Sequence, residues 1–554
     1  MSKIVECVPN FSEGRDLKKI KQITDAIEEV NGVKLLDVDP GAATNRTVVT
    51  IAGSPEAVVE AAFRGIKKAS EVIDMRNHTG AHARMGATDV CPFIPISGIT
   101  YEECIELSKI LGEKVGRELN IPVYLYGMSA QRKDRVRLPD IRKGEYEALE
   151  EKMKNPDFAP DYGKAEFNAR AGATAIGVRK FLIAYNVNLN TTRTQIAKEI
   201  GYEIREVGRA IKDENGKSKK DENGNLIRTP GLLKNTQAAG WYIDEYKRAQ
   251  VTINIMDHIE TPLHVVYETV KEQAEKLGAR VTGSELIGLI PKEAMLEAGK
   301  YFLDKQETSK AFSEKEIIRI AVLSMGLDEL TPFDIDKKII EYHFEKPGLK
   351  DMKVTEFADE LASDSPAPGG GSVAAMLGAM GAALAAMVTN LTYYKKEYTE
   401  HKNLMGEVGE KGQKLKRELL YAIDEDTNAF NKMAESRKLA KKTDEEIKIR
   451  NQAMEDANKY AMQVPFETMK KSFEVMKLAK EVAFYGNSNC LSDAGVANLC
   501  ANAAIMGAYY NVKINAPSVE DKVFVQNMLD ECSKLLAEKD KLYEEIKNRV
   551  ESML

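Results

Sequence analysis

The chain has 554 residues, 43% of them hydrophobic and 30% charged, with 38 Gly and 18 Pro spread so that no Pro/Gly-rich tract forms. At roughly 150 residues per domain that length predicts three or four domains, and the composition speaks against long disorder and collagen-like order. The 79 Lys and Arg against 86 Asp and Glu give a net charge of -7, which makes nucleic acid a poor partner.

The N-terminal third alternates apolar runs with helical periodicity. Runs at 4–8, 33–38 and 47–52 flank a helix-like segment at 17–30, and a helix follows from 55 to 73. Ser54 is placed to cap that helix, with Pro55 at its first position. Runs at 90–96 and 123–126 surround a further helical pattern at 101–119. A second block repeats the order: a strand at 181–189, a helix at 192–211, strands at 240–246 and 249–256, a helix at 262–277 and a strand at 280–290. That order is βαββαβ, and the first block reads similarly with an added βα unit. Two related ferredoxin-like α/β sandwich subdomains are therefore expected, at 1–179 and 180–328. The charged segment 213–225, DENGKSKKDENGN, reads as an exposed hairpin or mobile loop. Strand patterns stop near Pro347. A linker at 329–350 and an all-helical bundle domain at 351–554 complete the expected organisation.

No charge occurs from Ser365 to Tyr394. The stretch is rich in Ala, Met and Gly rather than Leu, Ile and Phe, so a buried bundle helix is expected in place of a membrane span. The six cysteines, Cys7, Cys91, Cys104, Cys490, Cys500 and Cys532, form no C-x-x-C pair, and the N-terminus has no leader-like pattern. A reduced, cytoplasmic protein without structural zinc follows.

Two of only six histidines, His78 and His82, fall in the Gly-flanked loop NHTGAHARMG at 77–86. The glycines break the helical register that an H-x-x-x-H metal pair needs, and no third ligand is evident. An imidazole beside Arg84 and Asp89 suits proton transfer on an anionic substrate, although loop histidines without such a role are common. Asp37 and Asp39 end a strand just before Pro40-Gly41, where a carboxylate either faces a cleft or forms a turn. Gly369, Gly370, Gly371 and Ser372 precede the small-residue helix. Their free N–H groups can bind an anion or a ring carbonyl, or the glycines can permit a tight entry turn. Asp424, Glu425 and Asp426 interrupt an apolar run, so at least one carboxylate must turn inward, where burial and like charge raise its pKa. Asn487 and Asp493 belong to a second polar cluster in an apolar helical region.

At these residues a resemblance emerges. KIVECVPNFSEG at 3–14, LLDVDPG at 35–41 and GAHARMGATDVCPFIPI at 80–96 resemble the formiminotransferase domain of glutamate formimidoyltransferase, while APGGGSVAA at 367–375 and the GN-x-x-C-x-SD pattern at 486–493 resemble the formimidoyltetrahydrofolate cyclodeaminase domain. Together they cover nearly the whole chain, in the order of the bifunctional formimidoyltransferase-cyclodeaminase family. The resemblance implies transfer of the formimidoyl group of N-formimidoyl-L-glutamate to N5 of tetrahydrofolate, followed by ring closure to 5,10-methenyltetrahydrofolate with release of ammonia. It implies tetrahydrofolate as co-substrate with no tightly bound cofactor and no metal, small-molecule partners only, and a homo-oligomer. By resemblance His82 is the catalytic histidine, Asp39 its assisting carboxylate, and Asp426 the acid/base of the deaminase. The folate-binding segment of animal members corresponds to GKAEFNARAG at 163–172. Gly163, Gly172 and Phe167 are kept there, and Lys164 and Arg170 suit the folate glutamate tail. Two other functions fit the same pattern: a transferase fused to a methenyltetrahydrofolate cyclohydrolase, and a folate-binding assembly protein without catalysis.

Overall fold

The computed structural model describes every residue except 1, 2, 43, 81, 215, 223 and 346. Ala81 of the histidine loop, Asn215 and Asn223 of the charged insertion and Lys346 beside the expected boundary thus lie outside the described residues. The chain forms two compact units, residues 1–298 with 321–345, and residues 299–320 with 346–554. The first is mixed α/β and the second is helical.

The first unit opens with β1 (Ile4–Cys7), β2 (Asn10–Phe11), α1 (Leu17–Glu28), β3 (Val33–Gly41), β4 (Arg46–Gly53) and α2 (Pro55–Val72). There follow β5 (Thr88–Ser97), α3 (Tyr101–Leu119), β6 (Val123–Gly127), the short helices α4 (Leu138–Arg142) and α5 (Leu149–Lys152), and β7 (Thr174–Val178). The strands make one sheet in the order β3, β4, β1 with β2, β5, β7, β6, in which only the β5–β7 and β6–β7 pairings are parallel. Strand alternation sets its two faces. Val5, Cys7, Phe11, Val49 and Ile51 join Ile23, Ile27, Val58, Ile66 and Leu111 in the core beneath α1, α2 and α3, and Val38 packs against it. The intervening Glu6, Asn10, Asp39 and Arg46 consequently belong to the other face. Ser54 holds the N-cap position of α2, but its hydroxyl makes no cap hydrogen bond; only its carbonyl accepts, from the Val58 N–H at 2.9 Å.

The second block contains β8 (Ile183–Leu189), α6 (Thr194–Ile204), β9 (Arg209–Ala210), β10 (Arg228–Thr229), β11 (Thr236–Ile243), β12 (Arg248–Ile255), α7 (Leu263–Lys276) and β13 (Val281–Ile287). Its four-stranded sheet runs β11, β12, β8, β13, with every pairing antiparallel. The helix expected to reach residue 211 ends at Ile204, because Gly208 turns the chain at φ +58°, where a Cβ would stand 1.8 Å from the Thr229 carbonyl. The insertion after it is ordered by backbone pairing: the N–H of Ile211 donates to Ile227, that of Ile227 to Lys219, and that of Lys219 to Ile211, at 2.9, 3.0 and 2.8 Å. The carboxylates of Asp213 and Asp221 each accept a backbone N–H across their turns at 2.8 Å, the Asx device that favours tight turns. After β13 come α8 (Lys292–Lys305), α9 (Glu314–Met325) and α10 (Ile335–Lys338).

The helical unit consists of α11 (Val354–Leu361), α12 (Gly370–Tyr393), α13 (Lys402–Lys438), α14 (Asp444–Tyr485), α15 (Leu491–Asn515) and α16 (Lys522–Glu551). Its core is built from small residues of α12, among them Ala379, Ala382 and Ala385, against Leu419, Met469, Phe473, Ala497 and Ile505. Close helix approach explains the glycines: a Cβ at Gly378 would meet the Ser472 hydroxyl at 2.7 Å. By length and composition α12 is apolar enough to cross a membrane, and 61% of its most apolar window is buried. Residues 299–320, upstream of the expected linker, also belong to this unit. The Ala311 carbonyl there accepts from the amides of Asn390 at 2.8 Å and Gln413 at 3.0 Å.

Candidate functional site

The loop joining α2 to β5 carries both candidate histidines, and glycines hold it in place. A Cβ at Gly80 would meet the Thr44 carbonyl at 2.2 Å, and one at Gly86 the Ala173 carbonyl at 2.1 Å. The His82 Nδ1 lies 2.6 Å from the Ala83 carbonyl. Beside it, Asp89 is fully buried and bound by two arginines: Arg46 forms an ion pair with it, and Arg142 Nε donates to it at 3.2 Å. Arg46 also donates to Asn10 Oδ1 at 3.1 Å. Two guanidinium groups against one carboxylate leave excess positive charge. Burial first, then the charge of Arg46, lower the His82 pKa below the ordinary 6.5, so its imidazole is neutral at neutral pH.

His78 and Arg84 form a second group. Arg84 Nε donates to His78 Nδ1 at 3.2 Å, and His78 Nε2 meets the Asn45 carbonyl at 2.9 Å, which fixes a neutral ring with its hydrogen on Nε2. The guanidinium of Arg84 is held by Glu145 at 2.9 Å and by both oxygens of Glu147 at 2.8 and 2.6 Å. Arg84 is therefore a member of a charge network in which two carboxylates hold its guanidinium. His78, Thr79, Gly80, Arg84, Gly144, Glu145 and Glu147 line a cavity of about 450 Å³. Glu145 sits there at φ +58°, a costly backbone position for a side-chain residue.

The segment 163–172 docks onto this loop. Its glycines turn at φ +84° (Gly163) and +67° (Gly172), and Gly172 bridges to Gly86. Phe167 packs against Tyr146 with ring centroids 5.6 Å apart, and the Tyr146 hydroxyl donates to the Ala169 carbonyl at 2.5 Å. Arg170 donates to the carbonyls of Ser70, at 3.1 Å, and Glu71 at the end of α2, which occupies it structurally. Lys164 is exposed. Asp39 is exposed too, opposite Val48 on the edge strand β3 and on the same sheet face as Asn10 and Arg46.

In the helical unit the three clustered carboxylates separate, because successive residues on a helix point about 100° apart. Asp424 accepts the Leu349 N–H at 2.6 Å. Glu425 accepts the Tyr460 hydroxyl. Asp426 turns to the N-terminus of α12, where the Ser372 hydroxyl donates to it at 3.1 Å. Gly371 makes that seat possible: a Cβ there would lie 2.0 Å from Asp426 Oδ1. Burial raises the Asp426 pKa, and the hydroxyl and N–H of Ser372 pull against the rise. Gly369 has open space where a Cβ would stand, and Gly370 meets only the Asn511 amide at 3.6 Å. Asn487 and Asp493 lie elsewhere. The Asn487 N–H donates to Thr392 at the far end of α12, and its Oδ1 accepts from Lys395 at 3.2 Å. Asp493 is in the first turn of α15, whereas Asn511, beside Gly370, is 18 residues further along that helix, or about 27 Å.

Arg46, Arg142, Glu145, Glu147 and Asn10 escaped the sequence reading because their relevance is a matter of partners 36 to 63 residues away. The Gly144-Glu145 turn, with a second acidic residue at Glu147, is the one local signal from which this segment could have been found.

Residues 4–179 match the formiminotransferase domain, N-terminal subdomain; residues 184–345 match the formiminotransferase domain; and residues 353–534 match formiminotransferase-cyclodeaminase. The chain is 42% identical to a formimidoyltransferase-cyclodeaminase of Rattus norvegicus over 97% of both chains. It is 41% identical to a glutamate formimidoyltransferase of Streptococcus pyogenes serotype M1, over 55% of this chain and 95% of that one. It is also 42% identical to a methenyltetrahydrofolate cyclohydrolase of Methylorubrum extorquens, over 36% of this chain and 97% of that one.

Proposed function

The chain belongs to the formimidoyltransferase-cyclodeaminase family, and from that premise we propose that it moves the formimidoyl group of N-formimidoyl-L-glutamate to tetrahydrofolate and then closes the product to 5,10-methenyltetrahydrofolate, releasing ammonia. One observation carries this reading above others: each unit brings one proton-transfer group to a built seat, neutral His82 beside Arg46 in the first and Asp426 against Gly371 and Ser372 in the second.

In the transferase, N5 of tetrahydrofolate attacks the formimidoyl carbon. A neutral His82 takes the proton from N5 and returns it to the departing glutamate nitrogen. The excess positive charge of Arg46 and Arg142 suits the carboxylates of formimidoylglutamate, and Asp39, on the same sheet face, assists. In the deaminase, the formimidoyl group enters as its cation and N10 attacks the same carbon. Ionised Asp426 takes the N10 proton and hands it to the amino group, which leaves as ammonia. Tetrahydrofolate acts as co-substrate and neither step needs a tightly bound cofactor.

The finer assignments belong to the same reading. Residues 1–179 and 180–328 are the transferase subdomains, 329–350 the linker and 351–554 the deaminase domain. A ferredoxin-like description of both subdomains is supported by their strand orders: β5, β1, β4, β3 in the first and β13, β8, β12, β11 in the second follow one βαββαβ pattern. A cytoplasmic setting is supported by six cysteines that are all free thiols. A homo-oligomer is supported by Met380, Met387 and Leu391, exposed at helical spacing on α12, and by exposed Tyr394 at its C-terminal cap.

A second reading makes the helical unit a methenyltetrahydrofolate cyclohydrolase, favoured by the similarity to the Methylorubrum extorquens protein. Ammonia release from 5-formimidoyltetrahydrofolate, set against hydrolysis of 5,10-methenyltetrahydrofolate by the same full-length chain, separates the two. The proposal requires ammonia release to be the faster.

A further inference from the structure

Glu6 has no role in the chemistry above, yet its position is unusual for a carboxylate. It lies in the middle of β1, paired with Ala52 on one side and Ile94 on the other, and it is 4% exposed. Its neighbours Val5 and Cys7 point into the helix-side core, so Glu6 points to the face that carries Asn10, Asp39 and Arg46. Among the described residues it makes no side-chain hydrogen bond and no ion pair. A buried carboxyl left without a hydrogen-bond partner is costly and calls for an explanation. Burial lifts its pKa to about 7, with the charge of Arg179 pulling downward.

Glu6 stands at one end of a band of polar groups. Arg179 acts on both Glu6 and Tyr126, Arg142 acts on Tyr126 and pairs with Asp89, and Asp89 pairs with Arg46 beside His82. The register gives the scale. Asn10, which holds Arg46, is opposite Val48, and Glu6 is opposite Ala52, four residues further along β4, or about 13 Å. That span matches the length of a bicyclic ring with a hydrogen bond at either end.

Resting on the transferase reading, we propose that Glu6 is the anchor for the 2-amino-4-oxopyrimidine edge of tetrahydrofolate, its carboxylate accepting N3–H and the 2-amino N–H side by side while N5 at the other side of the ring meets His82. The pairing is the one a carboxylate makes with a guanidinium, two parallel charge-assisted hydrogen bonds with fixed direction. It gives the unpartnered carboxyl its missing donors and sets which side of the ring faces the histidine. Glu6 is thus a binding and positioning residue.

The test measures glutamate release by the full-length chain with tetrahydrofolate and with 2-desamino-tetrahydrofolate, for the parent and for Glu6→Gln. In the parent, removing the 2-amino group should lower kcat/KM by about 10- to 100-fold, the worth of a hydrogen bond to a charged group. Glu6→Gln should raise the KM for tetrahydrofolate by a similar factor, leave the KM for formimidoylglutamate unchanged, and show little further loss with the desamino compound. The unchanged KM for formimidoylglutamate reports that the α/β unit of the variant is folded. A parent that uses the two folates equally well, a desamino penalty of the same size in both proteins, or a rise confined to the KM for formimidoylglutamate overturns the anchor while leaving the transferase reading intact. A parent that releases no glutamate overturns both.

Discussion

Replacing Gly371 with alanine tests the deaminase seat more sharply than replacing any charged residue, because it adds one methyl group and removes no functional atom. The new Cβ would lie 2.0 Å from Asp426 Oδ1 and 2.5 Å from Cγ, well inside contact distance, so the carboxylate must move by at least about 1 Å. The Asp426 side chain can rotate, so the fold absorbs the change. Gly371 is the second residue of α12, where alanine is the better helix former by about 1 kcal/mol, which offsets the local crowding. Thermal unfolding should therefore shift by only a few degrees. Displacing the carboxylate from the Ser372 hydroxyl by about 1 Å should cost deamination on the order of 10²-fold. The assay is ammonia release from 5-formimidoyltetrahydrofolate, with glutamate release as the internal control. A Gly371→Ala protein of normal stability that deaminates at close to the parent rate would refute the placement of Asp426 as the proton carrier.

Further expectations follow from the same geometry. His82→Ala should lose formimidoyl transfer by about 10²–10⁴-fold and keep deamination of supplied 5-formimidoyltetrahydrofolate, as parallel assays on one preparation will show. Transfer needs the neutral imidazole, and burial and Arg46 depress its pKa, so kcat/KM should fall on the acid side with a midpoint below pH 6.5; Arg46→Gln should move that limb to higher pH. Asp426→Asn should lower ammonia release by about two to four orders of magnitude, whereas Asp424→Asn, whose amide oxygen still accepts the Leu349 N–H, should stay within a few-fold of the parent. Equal losses in the two variants would show that the wrong carboxylate has been assigned.

The course of the chain was legible where one period dominates. The alternation of Val5, Glu6 and Cys7 and the small-residue repeat of α12 each fix an element and its buried face. Element ends were harder: the helix of the second block stops at Ile204 because Gly208 closes on Thr229, a contact between residues far apart in sequence. The same limit governs the sites. Three adjacent carboxylates at 424–426 announce that one must turn inward, but the choice of Asp426 depends on Leu349, Tyr460 and Ser372 claiming one each. Arg84 next to a histidine gives no sign in the sequence of Glu145 and Glu147, which pair with it from some 60 residues downstream. Asn487 and Asp493 read as a second polar cluster, and only the lengths of α12 and α15 show that it lies at the other end of the bundle from Asp426.

The central claim is that one chain performs both steps in sequence. Its most direct test supplies the full-length protein with N-formimidoyl-L-glutamate and tetrahydrofolate together and follows the absorbance of 5,10-methenyltetrahydrofolate alongside glutamate and ammonia. The account predicts that the three products accumulate in equal amounts. Glutamate release without matching ammonia and methenyltetrahydrofolate would contradict it.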